Sequence, residues 1–276
     1  MANTTSNPET KDIVKVNGST FIVTEYGECE RHGRYPRMGI REGERWPVCI
    51  HSSCPLCLTS SSVSKKFSEA AIPPRFLGKR IRNYVAHCPE QNAARDIASW
   101  FCRNIEDNLK NGVSLIFSGS TGTGKTHLSV AIASHAIEMG YSAFFTTARA
   151  FLRDVKESWG SKTEKESDVL KRYASLDMLV IDEVGVQYGS DAETLILFDL
   201  LNERYNAMKS TIVLSNLPVT VTEDERKRGR KTIEDYLSTR LYDRLLEGGG
   251  RVVPFTWASY RKGLLKEDET KKGEAA

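Results

Sequence analysis

Short apolar runs alternate with amphipathic stretches over the second half of the sequence. The runs are VSLIFSG (113–119), YSAFFTT (141–147), LDMLVID (176–182), TIVLSNL (211–217) and RVVPF (251–255). Helical spacing of apolar residues is found in five stretches: 90–110, GKTHLSVAIASHAIEMG, ARAFLRDVKESW, the stretch from a Ser190/Glu193 capping box to about Met208, and the stretch near 233–247. Buried strands that alternate with amphipathic helices are typical of α/β proteins. The pattern predicts an α/β fold with a parallel sheet covered by helices on both faces.

The chain before this region has a different composition. TSSSVSKKFSEAAIPP (59–74) is rich in serine, carries charges and ends in two prolines, which is typical of a linker. A chain of 276 residues is long enough for one main core and a small additional module. We expect an N-terminal module over 1–62, a linker over 63–75, a main domain over 76–262 and a charged tail over 263–276.

Four of the six cysteines lie between Cys29 and Cys57, where two short pairs have zinc-ribbon spacing. The predicted tetrahedral zinc ligands are Cys29, His32, Cys54 and Cys57. Cys49 and His51 are near enough in sequence to replace one of them. The alternative is a set of ordinary reduced thiols, but a segment so poor in large apolar residues needs a metal or another staple to fold.

No apolar run is long enough to cross a membrane, and the polar start MANTTSNPETKD lacks the features of a signal peptide. We therefore expect a cytoplasmic protein with no membrane partner. The net charge of +3 is too small to indicate a nucleic-acid partner by itself. ERKRGRK (225–231) is the strongest local basic run, and its alternatives are a DNA phosphate contact and an ordinary solvated loop.

One glycine-rich segment has the spacing of a phosphate-binding loop. It follows a predicted strand and opens a predicted helix, as such a loop requires. Its residues are Gly119, Ser120, Thr121, Gly122, Thr123, Gly124, Lys125 and Thr126. The backbone N–H groups would surround the phosphates of ATP, Lys125 would neutralise the β- and γ-phosphates, and the Thr126 hydroxyl would ligate Mg²⁺.

Polar residues end two of the predicted strands. Asp182 would hold Mg²⁺, and Glu183 would polarise the attacking water. Asn216 can reach the same water if its strand lies beside the strand that ends in Asp182. A small-molecule kinase needs no carboxylate to activate water, so the pair favours ATP hydrolysis. A kinase, or a zinc-dependent DNA-binding adaptor with a degenerate ATPase, is the alternative.

The helix TIEDYLSTRLYDRLLEGGG carries Arg240 and Arg244 four residues apart and therefore on one face. Two such arginines beside a leucine stripe are commonly a solvated flank. An ATPase that hydrolyses in an assembly, however, often requires an arginine that a neighbouring subunit delivers to the γ-phosphate.

The order GSTGTGKT, LVIDE, VLSN, TRLYDRLLEG and FTWASYR resembles the DnaC/IstB group of AAA+ ATPases, and most of all its DnaC-type helicase loaders, over about residues 72–262. The resemblance implies that Lys125 and Thr126 are the Walker A pair and that Asp182 and Glu183 are the Walker B pair. It makes Asn216 sensor 1, Arg244 the arginine finger and Arg261 sensor 2, which contacts the nucleotide of its own subunit. Arg240 is a weaker interface candidate.

The same resemblance implies a function. The expected protein is an ATP-dependent loader of the replicative hexameric DNA helicase onto single-stranded DNA, with ATP binding and hydrolysis as an assembly switch. Hydrolysis would be completed at a subunit interface within an oligomer or spiral, and the zinc-ribbon-like module would contact the helicase. Fifteen residues follow Arg261, so no helical lid domain is expected. The alternative is an IstB-like transposition helper.

Overall fold

The computed structural model describes residues 12–16, 18–29, 33–50, 55–185 and 191–260. The chain divides into two compact units, residues 1–65 and 66–276. Among the helices described, none is long and apolar enough to cross a membrane.

The first unit contains an antiparallel sheet of four strands in sequence order. The strands are β1 (Ile13–Val16), β2 (Ser19–Cys29), β3 (Gly33–Arg41) and β4 (Pro47–Cys49). Of the side-chain positions described in this unit, only Gly27 and Gly39 are buried. The sheet therefore has almost no apolar core of its own within the described residues, which fits the expectation that the segment needs a staple.

Helix α1 (Pro55–Glu69) follows, and it changes the picture of the predicted linker. The expected linker over 63–75 is helical as far as Glu69, and Ala70 and Ile72 are buried. The backbone amide of Phe145 donates to the Ala70 carbonyl at 2.8 Å. The serines of this segment thus lie in a helix, and the residues after it are part of the second unit instead of forming a spacer.

The second unit is built on a parallel sheet of five strands, as the apolar runs predicted. The strands are β5 (Leu115–Gly119), β6 (Ala143–Thr147), β7 (Met178–Val184), β8 (Ser210–Ser215) and β9 (Arg251–Phe255). Their order in the sheet is β6–β7–β8–β5–β9, and every pair is parallel. The central strands β5, β7 and β8 have continuous buried stretches because helices cover both faces, whereas the edge strand β9 is buried only at Val253 and Phe255. The α/β prediction is confirmed.

The helices of this unit lie between successive strands, except for two that precede β5. They are α2 (Pro89–Arg103), α3 (Ile105–Lys110), α4 (Lys125–Glu138), α5 (Ala148–Trp159), α6 (Glu166–Ala174), α7 (Asp191–Asn206), α8 (Glu223–Lys227), α9 (Ile233–Leu237) and α10 (Thr239–Leu246). Two predicted helices are each divided in the structure. The first divides at Asn104, and the second at Ser238, which has a φ of +63°. Ser190 of the predicted capping box lies outside the described residues.

A fully buried arginine holds three of these elements together. The Arg204 guanidinium, on α7, donates to Thr211 Oγ1 at 2.9 Å and to carbonyl oxygens of two neighbouring segments. The acceptors are the carbonyls of Tyr173 (2.7 Å), Ala174 (3.3 Å), Leu176 (3.0 Å) and Ser210 (2.5 Å). Burial lowers the pKa of Arg204 to about 9. The end of α6 and the starts of β7 and β8 are therefore fixed at this position.

Candidate nucleotide site

The phosphate-binding loop joins β5 to α4, and its backbone conformation requires glycine. Gly119 has a φ of +142°, and a Cβ added there would lie 2.2 Å from the Phe255 carbonyl oxygen on β9. Gly124 has a φ of +100°, and a Cβ would lie 2.8 Å from the Tyr84 ring. A side chain at either position would collide with its neighbour, so the sequence spacing reflects real packing constraints.

Lys125 is buried at the first turn of α4. Its Nζ donates to the carbonyl oxygens of Gly119 at 2.6 Å and of Ser120 at 2.7 Å. Burial lowers the pKa of Lys125 to about 8, while the nearby Asp182 carboxylate raises it. The amine is thus held inside the loop that would receive the phosphates.

The predicted Mg²⁺ ligands are brought together. Thr126 Oγ1 donates to Asp182 Oδ2 at 3.1 Å, across the space between α4 and β7. The other carboxylate oxygen of Asp182 accepts the backbone amide of Glu183 at 2.7 Å. Burial raises the pKa of Asp182, and hydrogen bonds from Glu183 and Thr126 oppose that effect. A hydroxyl beside a carboxylate is a donor set that suits Mg²⁺.

Glu183 follows Asp182 in an unusual conformation. Its φ is +62°, a left-handed value that costs a non-glycine residue about 1–2 kcal/mol. The ladder between β7 and β8 is irregular between Ile181 and Val184, on either side of this position. The Glu183 side chain is exposed at the carboxyl end of the strand, where ligands of parallel sheets bind.

The strand that ends just before Asn216 lies beside the strand that carries Asp182, as the predicted role of Asn216 requires. Strand β8 lies between β7 and β5, and Ser215 pairs with Val184 on one side and with Ser118 on the other. Asn216 comes next and is exposed. It therefore leaves the sheet between the phosphate-binding loop and the Asp182–Glu183 pair, and its catalytic role stays a prediction.

The two arginines of α10 have different surroundings. Arg244 is half-buried, donates to Asn202 Oδ1 at 2.7 Å, and lies over the Tyr205 ring at 5.2 Å. Both contacts are with α7 of the same chain. Arg240 is exposed, and within the described residues it has no ion pair.

Arg261 lies outside the described residues, but the chain just before it reaches the phosphate-binding loop. The Tyr260 backbone amide donates to the Gly122 carbonyl at 2.9 Å. Trp257 Nε1 donates to the Thr123 carbonyl at 2.9 Å, and Tyr84 Oη lies 3.5 Å from the same oxygen. Sequence reasoning gave no role to Trp257 or Tyr84, although Trp257 lies within the quoted FTWASYR.

The described residues of the N-terminal unit contain no group of three metal ligands. His32, Cys54 and the Cys57 side chain lie outside the described residues, so the predicted zinc site stays a prediction. Cys29 is opposite Gly33 at the end of the β2–β3 hairpin, and Cys49 is opposite Met38. Positions 33 and 38 are separated by about 16 Å along β3 at 3.3 Å per residue. Cys49 is therefore too far from Cys29 to share a metal ion with it.

Comparison with known proteins identifies the family. A model of the IstB-like ATP binding proteins matches residues 85–267, more than half of the chain. The chain belongs to this family. The replicative helicase loader DnaC of Buchnera aphidicola subsp. Schizaphis graminum is 32% identical over 220 residues, which are 77% of this chain and 84% of that protein. DnaC of Buchnera aphidicola subsp. Baizongia pistaciae is 35% identical over 75% of this chain and 82% of its own length.

Solved structures agree on the fold. The crystal structure of the DnaC helicase loader superposes with a TM-score of 0.55 at 22% identity, covering 67% of this chain and 100% of that chain. The predicted similarity to DnaC-type loaders and the predicted AAA+ P-loop core are confirmed. As an IstB/DnaC protein, the chain has the core of an ATP-binding family, which supports ATPase activity.

Proposed function

We propose that this IstB/DnaC-family protein loads a replicative hexameric DNA helicase onto single-stranded DNA, with ATP binding and hydrolysis as its assembly switch. The main support is the match to DnaC loaders over about three quarters of the chain. A second support is the position of Lys125, Thr126, Asp182 and Asn216 at one edge of the sheet, where they would contact one bound nucleotide. A cytoplasmic location stays a prediction.

The residues of the site divide the work of hydrolysis. The backbone of the phosphate-binding loop holds the phosphates, and Thr126 and Asp182 would hold Mg²⁺, which neutralises phosphate charge when bound. Lys125 must exchange its bonds to Gly119 and Ser120 for bonds to phosphate oxygens. Glu183 orients the attacking water, and Asn216 contacts that water or the γ-phosphate. Arg261 contacts the nucleotide of its own subunit.

The active site is completed by a second copy in this proposal. Arg244 would reach the γ-phosphate of a neighbouring subunit, and Arg240 lies on the same helix one turn earlier. Because Arg244 contacts Asn202 and Tyr205 on its own α7, its transfer to a neighbour must break those contacts. This arrangement would keep an isolated subunit slow and make hydrolysis depend on assembly.

The N-terminal unit would bind zinc and contact the helicase. Cys29 lies at the β2–β3 hairpin, and β4 runs antiparallel to β3, toward that hairpin. This direction supports the ligand set of Cys29, His32, Cys54 and Cys57. Purified protein should contain one zinc ion per chain. The Cys29→Ser variant should lose it, whereas Cys49→Ser should retain it; loss of zinc in both variants would contradict this ligand set.

Co-elution with the host replicative helicase tests the central proposal. We expect a complex in size-exclusion chromatography whose amount depends on ATP, and which Glu183→Gln stabilises because it binds ATP without hydrolysing it. Lys125→Ala should abolish the nucleotide dependence. Absence of a complex both with and without ATP would contradict helicase loading.

The family also contains IstB-like proteins, so a transposition helper is the second candidate. It is favoured by the family model itself, which covers residues 85–267. The two functions differ in their partners. Recovery of a transposase on the tagged protein, together with ATP-dependent assembly on double-stranded DNA, would favour the helper over the loader.

A further inference from the structure

The basic run of the sequence lies in a closed loop that begins and ends at the nucleotide edge of the sheet. We call residues 219–232 the basic loop. It leaves the sheet after Pro218, contains α8, and returns at Ile233, whose backbone amide donates to the Pro218 carbonyl at 3.0 Å. Ile233 is fully buried. The base of the loop is therefore anchored in the hydrophobic core.

Two of the five cations in this run hold the loop in shape. Arg226 Nη1 lies 3.3 Å from Asp235 Oδ1, and Arg230 pairs with Glu225. The same two carboxylates close capping boxes, Glu225 with Thr222 and Asp235 with Thr232. Each carboxylate thus joins a helix start to an arginine elsewhere in the loop. Arg226 and Arg230 have partners within the protein.

The other three cations are presented to solvent. Lys227, Arg228 and Lys231 are exposed, and none has an ion pair within the described part of the chain. The unpaired acids of the region, Glu223 and Asp224, lie in the first turn of α8, where carboxylates are favoured at a helix start. The three cations lie at and beyond the other end of that helix. A loop whose backbone is held in place and which presents three exposed cations is suited to bind several successive phosphates of a nucleic acid.

The residues just before the basic loop, Ser215 and Leu217, contact both the strand before the phosphate-binding loop and the strand that carries Glu183. Ser118, which precedes the phosphate-binding loop, donates from Oγ to the Leu217 carbonyl at 2.5 Å. The Leu217 amide donates to Ser215 Oγ at 3.1 Å, and that hydroxyl donates to the Val184 carbonyl at 2.6 Å. Val184 directly follows Glu183. Leu217, just before the basic loop, is thus joined directly to β5, which precedes the phosphate-binding loop, and through Ser215 to β7, which carries Glu183.

We propose that Lys227, Arg228 and Lys231 bind successive phosphates of single-stranded DNA, and that Arg226 and Arg230 only shape the basic loop. The hydrogen bonds of Leu217 and Ser215 would then couple DNA binding by the loop to ATP hydrolysis at the nucleotide site. This inference rests on the proposed function, since it assumes that the protein binds single-stranded DNA. It assigns that binding to three of the five cations.

The test is the salt dependence of binding to an oligo(dT) strand, measured by fluorescence anisotropy with a non-hydrolysable ATP analogue. Each phosphate contact to a single strand contributes about 0.7 to the slope of log K against log salt. Combined Lys227→Gln, Arg228→Gln and Lys231→Gln should lower the slope by about 2. It should also reduce stimulation of hydrolysis by DNA, with ATP affinity unchanged.

Two matched variants serve as controls. Combined Arg82→Gln, Arg103→Gln and Lys110→Gln removes three exposed cations without ion pairs among the described residues, and the slope should not change. Combined Arg226→Gln and Arg230→Gln should weaken binding without changing the slope. The assignment would be overturned if the basic-loop triple variant had the same slope as the wild-type protein. If this variant also failed to co-elute with the helicase, the loop would bind an acidic protein surface instead. If the wild-type protein binds no single-stranded DNA, the proposed function itself is contradicted.

Discussion

Gly119 and Gly140 both have a positive φ, but their surroundings differ. A Cβ at Gly119 would lie 2.2 Å from a carbonyl oxygen on β9, whereas a Cβ at Gly140 (φ +92°) would meet nothing within 4 Å. Gly140→Ala should therefore lower the free energy of unfolding by about 1–2 kcal/mol, the usual left-handed cost. Gly119→Ala should lower it further and abolish ATP binding. Urea unfolding and nucleotide titration of both variants would check this, and equal losses would contradict it.

Lys125 gives the site a predictable response to pH. Its pKa is about 8 because it is buried, and bound phosphates would favour the charged amine and raise that pKa. Well below pH 8 the amine is already protonated, so Lys125 should add no pH dependence to the affinity for ATP there. Above pH 8 binding must take up a proton, so affinity should fall toward a limit of about tenfold per pH unit.

Lys125→Arg is the matched control for this profile, since arginine stays protonated at these pH values. The variant should bind ATP more weakly, and its affinity should not fall between pH 8 and 9.5. Isothermal titration at four or five pH values would give both profiles. A wild-type profile that is flat over the same window would contradict the assignment of the titration to Lys125.

At the scale of elements, Arg204 joins α7 to the segment before β7 and to β8. Arg204→Met keeps the volume but leaves five acceptors without their donor, at about 1–3 kcal/mol for each buried group that finds no substitute. We expect a loss of at least about 3 kcal/mol in the free energy of unfolding. Arg172→Met removes an exposed arginine that pairs with Glu164, and should cost about 1 kcal/mol or less. Chemical denaturation would compare the two.

The same elements show how far sequence patterns lead. Buried strands were predictable because each apolar run is confined to one strand, and the loop was predictable because Lys125 and Thr126 follow a strand. Patterns did not predict the break at Ser238, since a helix with a left-handed residue keeps its apolar spacing. They also missed the contacts of Arg244 with Asn202 and of Trp257 with Thr123, because a periodic pattern carries no information on partners distant in sequence.

The linker prediction failed for a related physical reason. Serine and lysine favour solvent, so the composition of 63–69 indicated a spacer. The chain uses those residues for the exposed positions of α1, and the short apolar side chains of Ala70 and Ile72 anchor its end. The exposed face of a helix and an extended linker have the same polar composition, so composition alone does not distinguish them.

At the scale of the whole molecule, a shared active site can be tested by mixing two inactive variants. Arg244→Ala keeps the phosphate-binding loop, and Glu183→Gln keeps the arginine. Arg244→Ala should lose at least about a thousandfold in hydrolysis rate, the lower end of what such an arginine contributes. Glu183→Gln should lose at least about a hundredfold, the lower end for a group that takes a proton from the attacking water. In a mixture, some interfaces combine the phosphate-binding loop and Glu183 of an Arg244→Ala subunit with Arg244 of a Glu183→Gln subunit. Such an interface has every required group, so hydrolysis should partly recover.

Mixing either variant with Lys125→Ala shows whether Arg244 acts on the nucleotide of a neighbouring subunit or on that of its own subunit. The Lys125→Ala subunit has an intact Arg244, so it should restore hydrolysis to Arg244→Ala but not to Glu183→Gln. Steady-state ATPase assays at a constant total concentration would measure this. If no mixture exceeds its components, Arg244 acts within its own subunit or outside catalysis.

The carbonyls of Gly122 and Thr123 are held by segments from both ends of the ATPase fold, Tyr84 on one side and Trp257 and Tyr260 on the other. Outward movement of the phosphate-binding loop at Gly122 and Thr123 would break these hydrogen bonds unless one of the segments moved with it. We therefore expect the rate of nucleotide release to depend on these contacts as well as on those to the phosphates. A partner that displaces the chain near residue 84 or 260 would act as an exchange factor without touching the nucleotide.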